Sequence, residues 1–337
     1  MEDAETRIAD IIKEKRGRDN FLSVRIDKTV PEGKSIVKRM CNENCIFDYA
    51  TGARCNDDLF NNDRGSALTN AEILKAVEKI GYASKKKIRA HIAGDGEPTM
   101  LNKELVLLVK MLKESTVIHS VKITSNGTLL TLGNPSLIER LKDAGLNNIN
   151  ISLHSLNKDT FKEITGIDSL PIVLRGVDAA IATGIKTSIN CVIGPKTISE
   201  LDSFIALSEK KGIIIKFFSL LSKDRALQNS YDTLIDKISE ALLERADFHG
   251  NYSSPYNGTV FSINGALIDL KDSRINNCPN VACAYRDICT EGCRYEARLS
   301  RIGILQPCGV RVDNMLDLTG KVDEKIIKST LISGGKL

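Results

Sequence analysis

The feature that most constrains this chain is an alternation. Short runs rich in Ile, Val or Phe take turns with stretches of helical periodicity from about residue 35 to residue 222. The strand candidates are 35–40 (SIVKRM), 87–94 (KIRAHIAG), 120–127 (SVKITSNG), 148–155 (NINISLHS), 186–193 (KTSINCVI) and 213–220 (IIIKFFSL). Each is bounded by polar or Gly positions, as strands are. Helical patterns fall between them at 69–82, 102–115, 134–145 and 197–212. Thr69 with Glu72 three residues on forms a capping-box pattern, and Gly145 and Gly212 stand where helix C-caps are expected. Strands alternating with helices imply parallel βαβ units. They close as a full or partial barrel or stay open as a doubly wound sheet, and periodicity alone leaves both open.

The first 20 or so residues read as a polar helix or arm. After residue 222 the texture changes. A helix near 230–246 leads through NYSSPYNG, a turn-rich stretch, to two hairpin-like segments at 259–270 and 297–308. The expected division is an arm at 1–34, a barrel at 35–222, a helix and linker at 223–255, and a small cysteine-rich domain at 256–337.

Composition excludes several classes. Of 337 residues, 47 are Lys or Arg and 43 are Asp or Glu, a net charge of +4. That is little for a nucleic-acid or anionic-membrane binder of this length. No run approaches a membrane span, and the charged N-terminus lacks a signal-peptide core. A cytoplasmic location is expected. The chain has nine cysteines, and all but Cys191 fall in two clusters, 41–55 and 278–308. In a reducing compartment, clustered cysteines point to metal or redox chemistry. Cys191, inside a strand-like run, reads as a buried structural thiol.

The strand tails carry the candidate chemistry. RMCNENCIFDY (39–49) follows the first strand candidate and holds Cys41 and Cys45. Thiolates suit iron–sulfur clusters or zinc. AGDGEPTM (93–100) offers Gly94 and Gly96 for close backbone approach to a ligand and Glu97 as an acceptor for an amino group. TSNG (124–127) and SLHS (152–155) end the next two strands, with Ser152 and His154 on one side of theirs. At successive strand ends, these tails describe one pocket.

In this order and spacing, CNENCIFDY, GDGEPTM, SNGTLL and NISLHSLNKDTFKEITG resemble the radical S-adenosylmethionine (SAM) superfamily. The resemblance spans about residues 35–220. It implies a partial (β/α)6 barrel and a CxxxCxxC loop that holds a [4Fe–4S] cluster. The open iron binds SAM, which is cleaved to a 5′-deoxyadenosyl radical. By position, Gly94, Gly96 and Glu97 would contact the methionine part of SAM, Ser125 and Asn126 its ribose or carboxylate, with Ser152 and Asn190 of the same type. One ligand departs from the pattern: Asp48 stands where the third cysteine belongs. Three arrangements stay open. Asp48 is an oxygen ligand, Cys55 is the third thiolate, or the cluster is lost and the chain is a non-catalytic binding or scaffold subunit. Use of SAM as a methyl donor also stays open.

The late cysteines, Cys278, Cys283, Cys289, Cys293 and Cys308, resemble the auxiliary-cluster domain of SPASM and Twitch radical SAM enzymes. The resemblance implies one auxiliary [4Fe–4S] cluster. Its ligands are Cys278, Cys283, Cys289 and Cys308, or a set in which Cys293 replaces one of the first two. Four thiolates at loose spacing also suit zinc. Arg294 and Arg298 resemble, one position displaced, the arginines that hold a nucleotide triphosphate in the molybdenum-cofactor cyclase branch. The tail ISGGKL has that branch's Gly-Gly followed by two more residues. His154 is a further candidate substrate contact. The expected function is radical modification of a peptide or a small molecule, with nucleotide cyclisation as an alternative. The expected partners are a reductase, or an electron donor of flavodoxin or ferredoxin type, and a protein that presents the substrate.

Overall fold

Leu22, Val24 and Ile26 are buried and alternate with Ser23 and Arg25 along the strand Phe21–Ile26 (β1). A similar alternation of apolar and polar side chains runs through Lys87–Ile92 (β2), Ile118–Ser125 (β3), Asn148–Ser152 (β4), Lys186–Val192 (β5) and Ile214–Phe218 (β6). Alternation of period two splits a sheet into two unlike faces. In this computed structural model, the residues described are 3–16, 20–34, 40–45, 66–94, 96–219, 225–253, 257–272, 296–307 and 314–334.

β1 to β6 are parallel in sequence order. Their apolar face packs on the helices Asn70–Ser84 (α2), Lys103–Glu114 (α3), Leu137–Asp143 (α4), Lys158–Thr165 (α5), Leu170–Ala182 (α6) and Leu201–Lys211 (α7). The period-3.6 stripe of α3 shows how: Leu105, Leu108, Val109 and Leu112 are all buried against the sheet. Each such side chain contributes about 1.5–3 kcal/mol. The Thr69–Glu72 capping box is formed, with Glu72 N–H donating to Thr69 Oγ1 at 3.2 Å and Thr69 N–H to Glu72 Oε2 at 2.8 Å. Gly212 caps α7 in the left-handed region.

Two expectations differ from the structure. The first strand of the sheet is β1, inside the segment read as an arm. The predicted strand 35–40 lies outside the described residues except Met40, which is in no strand. The arm reading held only for Ala4–Arg16 (α1), a helix. Finally, the two C-terminal hairpins form as expected but build no separate layer. One consists of Asn257–Ile263 (β8) and Ala266–Asp272 (β9), the other of Glu296–Leu299 (β10) and Ile304–Gln306 (β11). β9 adds parallel to β6, and β10 adds parallel to β1. Phe248–Tyr252 (β7) and Leu316–Asp317 (β12) complete a single sheet of order β12-β11-β10-β1-β2-β3-β4-β5-β6-β9-β8-β7. Phe261, Ile268, Ala297 and Leu305 join the same core as the barrel residues, which is why the hairpins need no core of their own. Among the described residues no ladder joins β9 to β10, so the barrel is partial.

α1 packs on β7 and β8 through Ile8, which meets Tyr252, Val260 and Leu267. Lys15 near its end is buried. Its Nζ lies 2.7 Å from Asp269 Oδ2 and 4.0 Å from the Tyr252 ring centre, while Tyr252 OH donates to Asp269 Oδ1 at 2.6 Å. The late helices are Arg225–Leu243 (α8) and Glu324–Ser333 (α9), which buries Ile327 and Leu331. Among the described residues no helix is long and apolar enough to cross a membrane.

Burial alone would raise the Asp269 carboxyl, but the Lys15 and Lys271 charges and the two hydrogen bonds bring it to about 2. Its stabilising contribution is therefore present above the ordinary aspartate value of 3.8 and is lost as pH falls toward about 2. Removing one partner of a buried pair costs roughly 3–5 kcal/mol. Asp269→Ala is expected to lose stability on that scale at pH 7, with the gap to wild type closing toward pH 2. Urea unfolding across pH checks both.

Candidate active site at the strand tails

Glu97, at the tail of β2, is buried and its carboxylate collects four hydrogen bonds. Thr99 N–H (3.0 Å), Thr99 Oγ1 (2.5 Å) and Ser125 Oγ (2.8 Å) donate to Oε1. Asn126 N–H donates to Oε2 at 2.6 Å. A carboxylate offers about four acceptor positions. In the structure its carboxylate ties the tails of β2 and β3 together, with three donors on Oε1 and one on Oε2. Burial raises its pKa above the ordinary value even against these hydrogen bonds.

The loop bearing Cys41 and Cys45 hangs on this knot. Glu97 N–H donates to the Met40 carbonyl at 2.8 Å. Asn126 Nδ2 donates to Asn42 Oδ1 at 2.7 Å, and Asn42 Nδ2 donates to Thr128 Oγ1 at 2.8 Å. On the other side Asn44 N–H reaches the Thr165 carbonyl at 2.8 Å, and Gly166 packs on Asn44. The four sequence motifs thus meet at one loop. Gly94 and Gly96 also let the chain pack closely on itself. A Cβ on Gly94 would lie 2.0 Å from Asp27 Oδ1, and one on Gly96 would lie 2.3 Å from the Met40 carbonyl oxygen.

Both thiols are half-buried. Glu43 N–H approaches Cys41 Sγ at 3.4 Å, and Cys45 Sγ lies 3.7 Å from Glu43 Oε2. The donor set fits a soft metal or cluster as far as it is described. Asp48 and Cys55 lie outside the described residues, as do Cys278, Cys283, Cys289, Cys293, Cys308 and Arg294. Ser152 and Asn190 are register partners at the tails of β4 and β5. Asn190 Oδ1 is buried without a hydrogen-bond partner, which marks a polar position suited to a ligand. His154 Nδ1 accepts from Val192 N–H at 3.1 Å, and burial lowers its pKa to about 4, so the ring is neutral.

The polar face of the strands lines a lumen that sequence reading missed. In one register row Arg298, Arg25, His91 and Lys122 follow one another across β10, β1, β2 and β3. Lys216 on β6 donates to Ser188 Oγ at 2.7 Å and Asn150 Oδ1 at 3.1 Å. Burial, with Lys271 and Lys122 nearby, pushes its ammonium well below the ordinary lysine range. His91 spans Glu296 and Thr124, with Nδ1 2.9 Å from Glu296 Oε1 and Nε2 2.8 Å from Thr124 Oγ1. Burial and then Lys122 lower its pKa to about 3, against the pull of Glu296. An ionised Glu296 only accepts, so His91 carries its proton on Nδ1 and Thr124 donates to Nε2. The available signal was the alternation: polar residues in every other strand position imply a second face with work of its own.

The Radical SAM superfamily family model matches residues 35–208. A "Probable GTP 3′,8-cyclase" of Sulfurisphaera tokodaii is 30% identical over 87% of this chain and 86% of its own length. One of Methanococcus aeolicus is 28% identical over 82% and 85%. In fold the chain is similar to Streptococcus suis SuiB bound to S-adenosylmethionine, with TM-score 0.61, 14% identity, and 99% of this chain and 73% of that one covered. It is also similar to native anSMEcpe with bound AdoMet, with TM-score 0.60, 15% identity, and 92% and 82% covered.

A Cβ on Gly96 forces the Met40 backbone to move, an overpacking that costs about 1–3 kcal/mol. Gly96→Ala is expected to lower the melting temperature by roughly 2–6 °C. Gly320→Ala, with nothing within 4 Å of its Cβ, should stay within about 1 °C of wild type by the same scan.

Proposed function

The chain belongs to the radical SAM superfamily and is an enzyme, and we propose that it modifies a phosphate-bearing small molecule of the nucleotide class held in the barrel lumen. GTP is the first substrate to test, because the relatives are named for a reaction on it. The observation that carries the reading is the register row in which the cations Arg298, Arg25 and Lys122 flank the neutral His91, with Lys271 further round the sheet. Guanidinium groups suit phosphate oxygens, which they bind in pairs. This lumen favours an anionic small molecule over the peptide expected from the SPASM-type resemblance. The relatives named for a reaction favour an enzyme over the non-catalytic scaffold reading.

Cys41, Cys45 and either Asp48 or Cys55 would hold an iron–sulfur cluster at the strand tails. Bound there, it supplies the electron that opens SAM to a 5′-deoxyadenosyl radical. The chain's own part is placement. The Glu97 knot fixes the loop through Met40 and Asn42, and Asn190 and Ser152 offer polar contacts to SAM beside it. The lumen below holds the substrate. The late cysteines bracket the β10–β11 hairpin in sequence and would hold an auxiliary [4Fe–4S] cluster. An external electron donor completes the system, and a substrate-presenting protein is unnecessary for a small molecule.

After anaerobic reconstitution and reduction with dithionite, 5′-deoxyadenosine and nucleotide products are followed by chromatography. Cys41→Ala should fall to background. Arg25→Ala should keep basal SAM cleavage and raise the KM for GTP about tenfold or more. A wild-type enzyme that cleaves SAM but neither consumes GTP nor responds to it would sink the nucleotide reading.

A further inference from the structure

Glu296 is out of place in an anion pocket. It stands on β10 two residues before Arg298 and opposite Ser23 of β1, so it shares the lumenal face with the cationic row. The other lumenal carboxylate described above, Asp269, is consumed by Lys15 and Tyr252. Glu296 has a different partner: His91, a neutral imidazole, donates at 2.9 Å. A neutral donor fixes the carboxylate without cancelling its charge. His91 acts on it most strongly, and the charges of Arg25 and Lys122 act on it next. Burial would raise the Glu296 carboxyl, but the His91 hydrogen bond and these two cations hold it well below the usual range, so it is an anion at neutral pH. Arg25 and Lys122 are also the groups available to a substrate phosphate.

We propose that Glu296 is a specificity-determining residue, a resident anion that limits how many negative charges a substrate can bring to Arg25 and Lys122. His91 positions it, and Thr124 fixes the His91 tautomer from the far side. Repulsion by a fixed charge scales with the charge of the ligand. Removing Glu296 should therefore help a highly charged ligand more than a weakly charged one. The substrate's identity rests on the nucleotide reading above. The charge rule does not, so inorganic anions can test it alone.

The experiment measures binding of phosphate, pyrophosphate and tripolyphosphate by titration calorimetry at one low ionic strength. It compares the anaerobically reconstituted full chain with E296Q, which keeps an acceptor for His91. Expected is a gain of about tenfold or more for tripolyphosphate in E296Q, with phosphate changed by no more than about threefold. Glu296→Ser is the second variant if Gln disturbs folding, and it should show the same order. Equal changes across the series, or no binding of any of the three to either protein, would overturn the proposal. GMP, GDP and GTP form a second arm. If they bind neither protein while the inorganic series shows the expected order, the nucleotide reading fails and the role of Glu296 stands.

Discussion

The buried carboxylate of Glu97 is the constraint on which the rest of the site depends. Its four donors come from two strand tails, and its own N–H holds Met40 at the start of the cysteine loop. Hydrogen bonds to a charged group contribute about 1.5–3 kcal/mol each, and loss of the acceptor would strand several buried donors. Position and stability are thus coupled. The group that places Cys41 also welds β2 to β3, and the Asn42–Asn126–Thr128 contacts extend the weld to the loop itself. A ligand here meets a surface already set, which spares it the cost of ordering the loop.

Much of the scaffold was legible because local and tertiary preferences agree. β2 to β6 and the helices α2, α3, α4 and α7 follow hydrophobic period, and the Thr69 cap follows residue type. β1 escaped because FLSVRI is short and sits in a charged N-terminal stretch. Its alternation becomes decisive only when β2 and β10 lie on either side. The helix α5 was seen only as part of a family motif, and α6 was not foreseen. At the site, residue type pointed to the right places but did not show the contacts within the chain. A glycine before a strand tail signals close approach, but not what approaches, and Asp27 and Met40 fill those spaces. Glu97 is likewise a carboxylate whose partners come from elsewhere in the fold. The lumenal residues were the largest omission. Arg25, His91, Lys122 and Glu296 look like solvent-side positions in any single strand and become a pocket only when the sheet curves.

The C-terminal segment belongs to the same logic. Its cysteines suggested a small domain that metal must hold together. The hairpins around them instead share the barrel's core, with Ala297 and Leu299 packed among barrel residues. They also carry Glu296 and Arg298 into the lumen. The segment therefore furnishes a wall of the pocket. Chemistry at the strand tails and recognition in the lumen are built from residues hundreds of positions apart in the chain.

That distance has a consequence for assembly. β1 leaves the ribosome long before one of its two neighbours, β10, with Ser23 paired to Glu296. β6 waits in the same way for β9. Until the C-terminal hairpins arrive, the nascent half-barrel carries two unpaired parallel edges, and such edges recruit other chains. Long-range parallel pairing is also slow to form. The polar alternation on these strands then has a second meaning. Arg25 on β1 and Lys216 on β6 place charge along both waiting edges, so the side chains that furnish the finished pocket also guard the unfinished fold against aggregation.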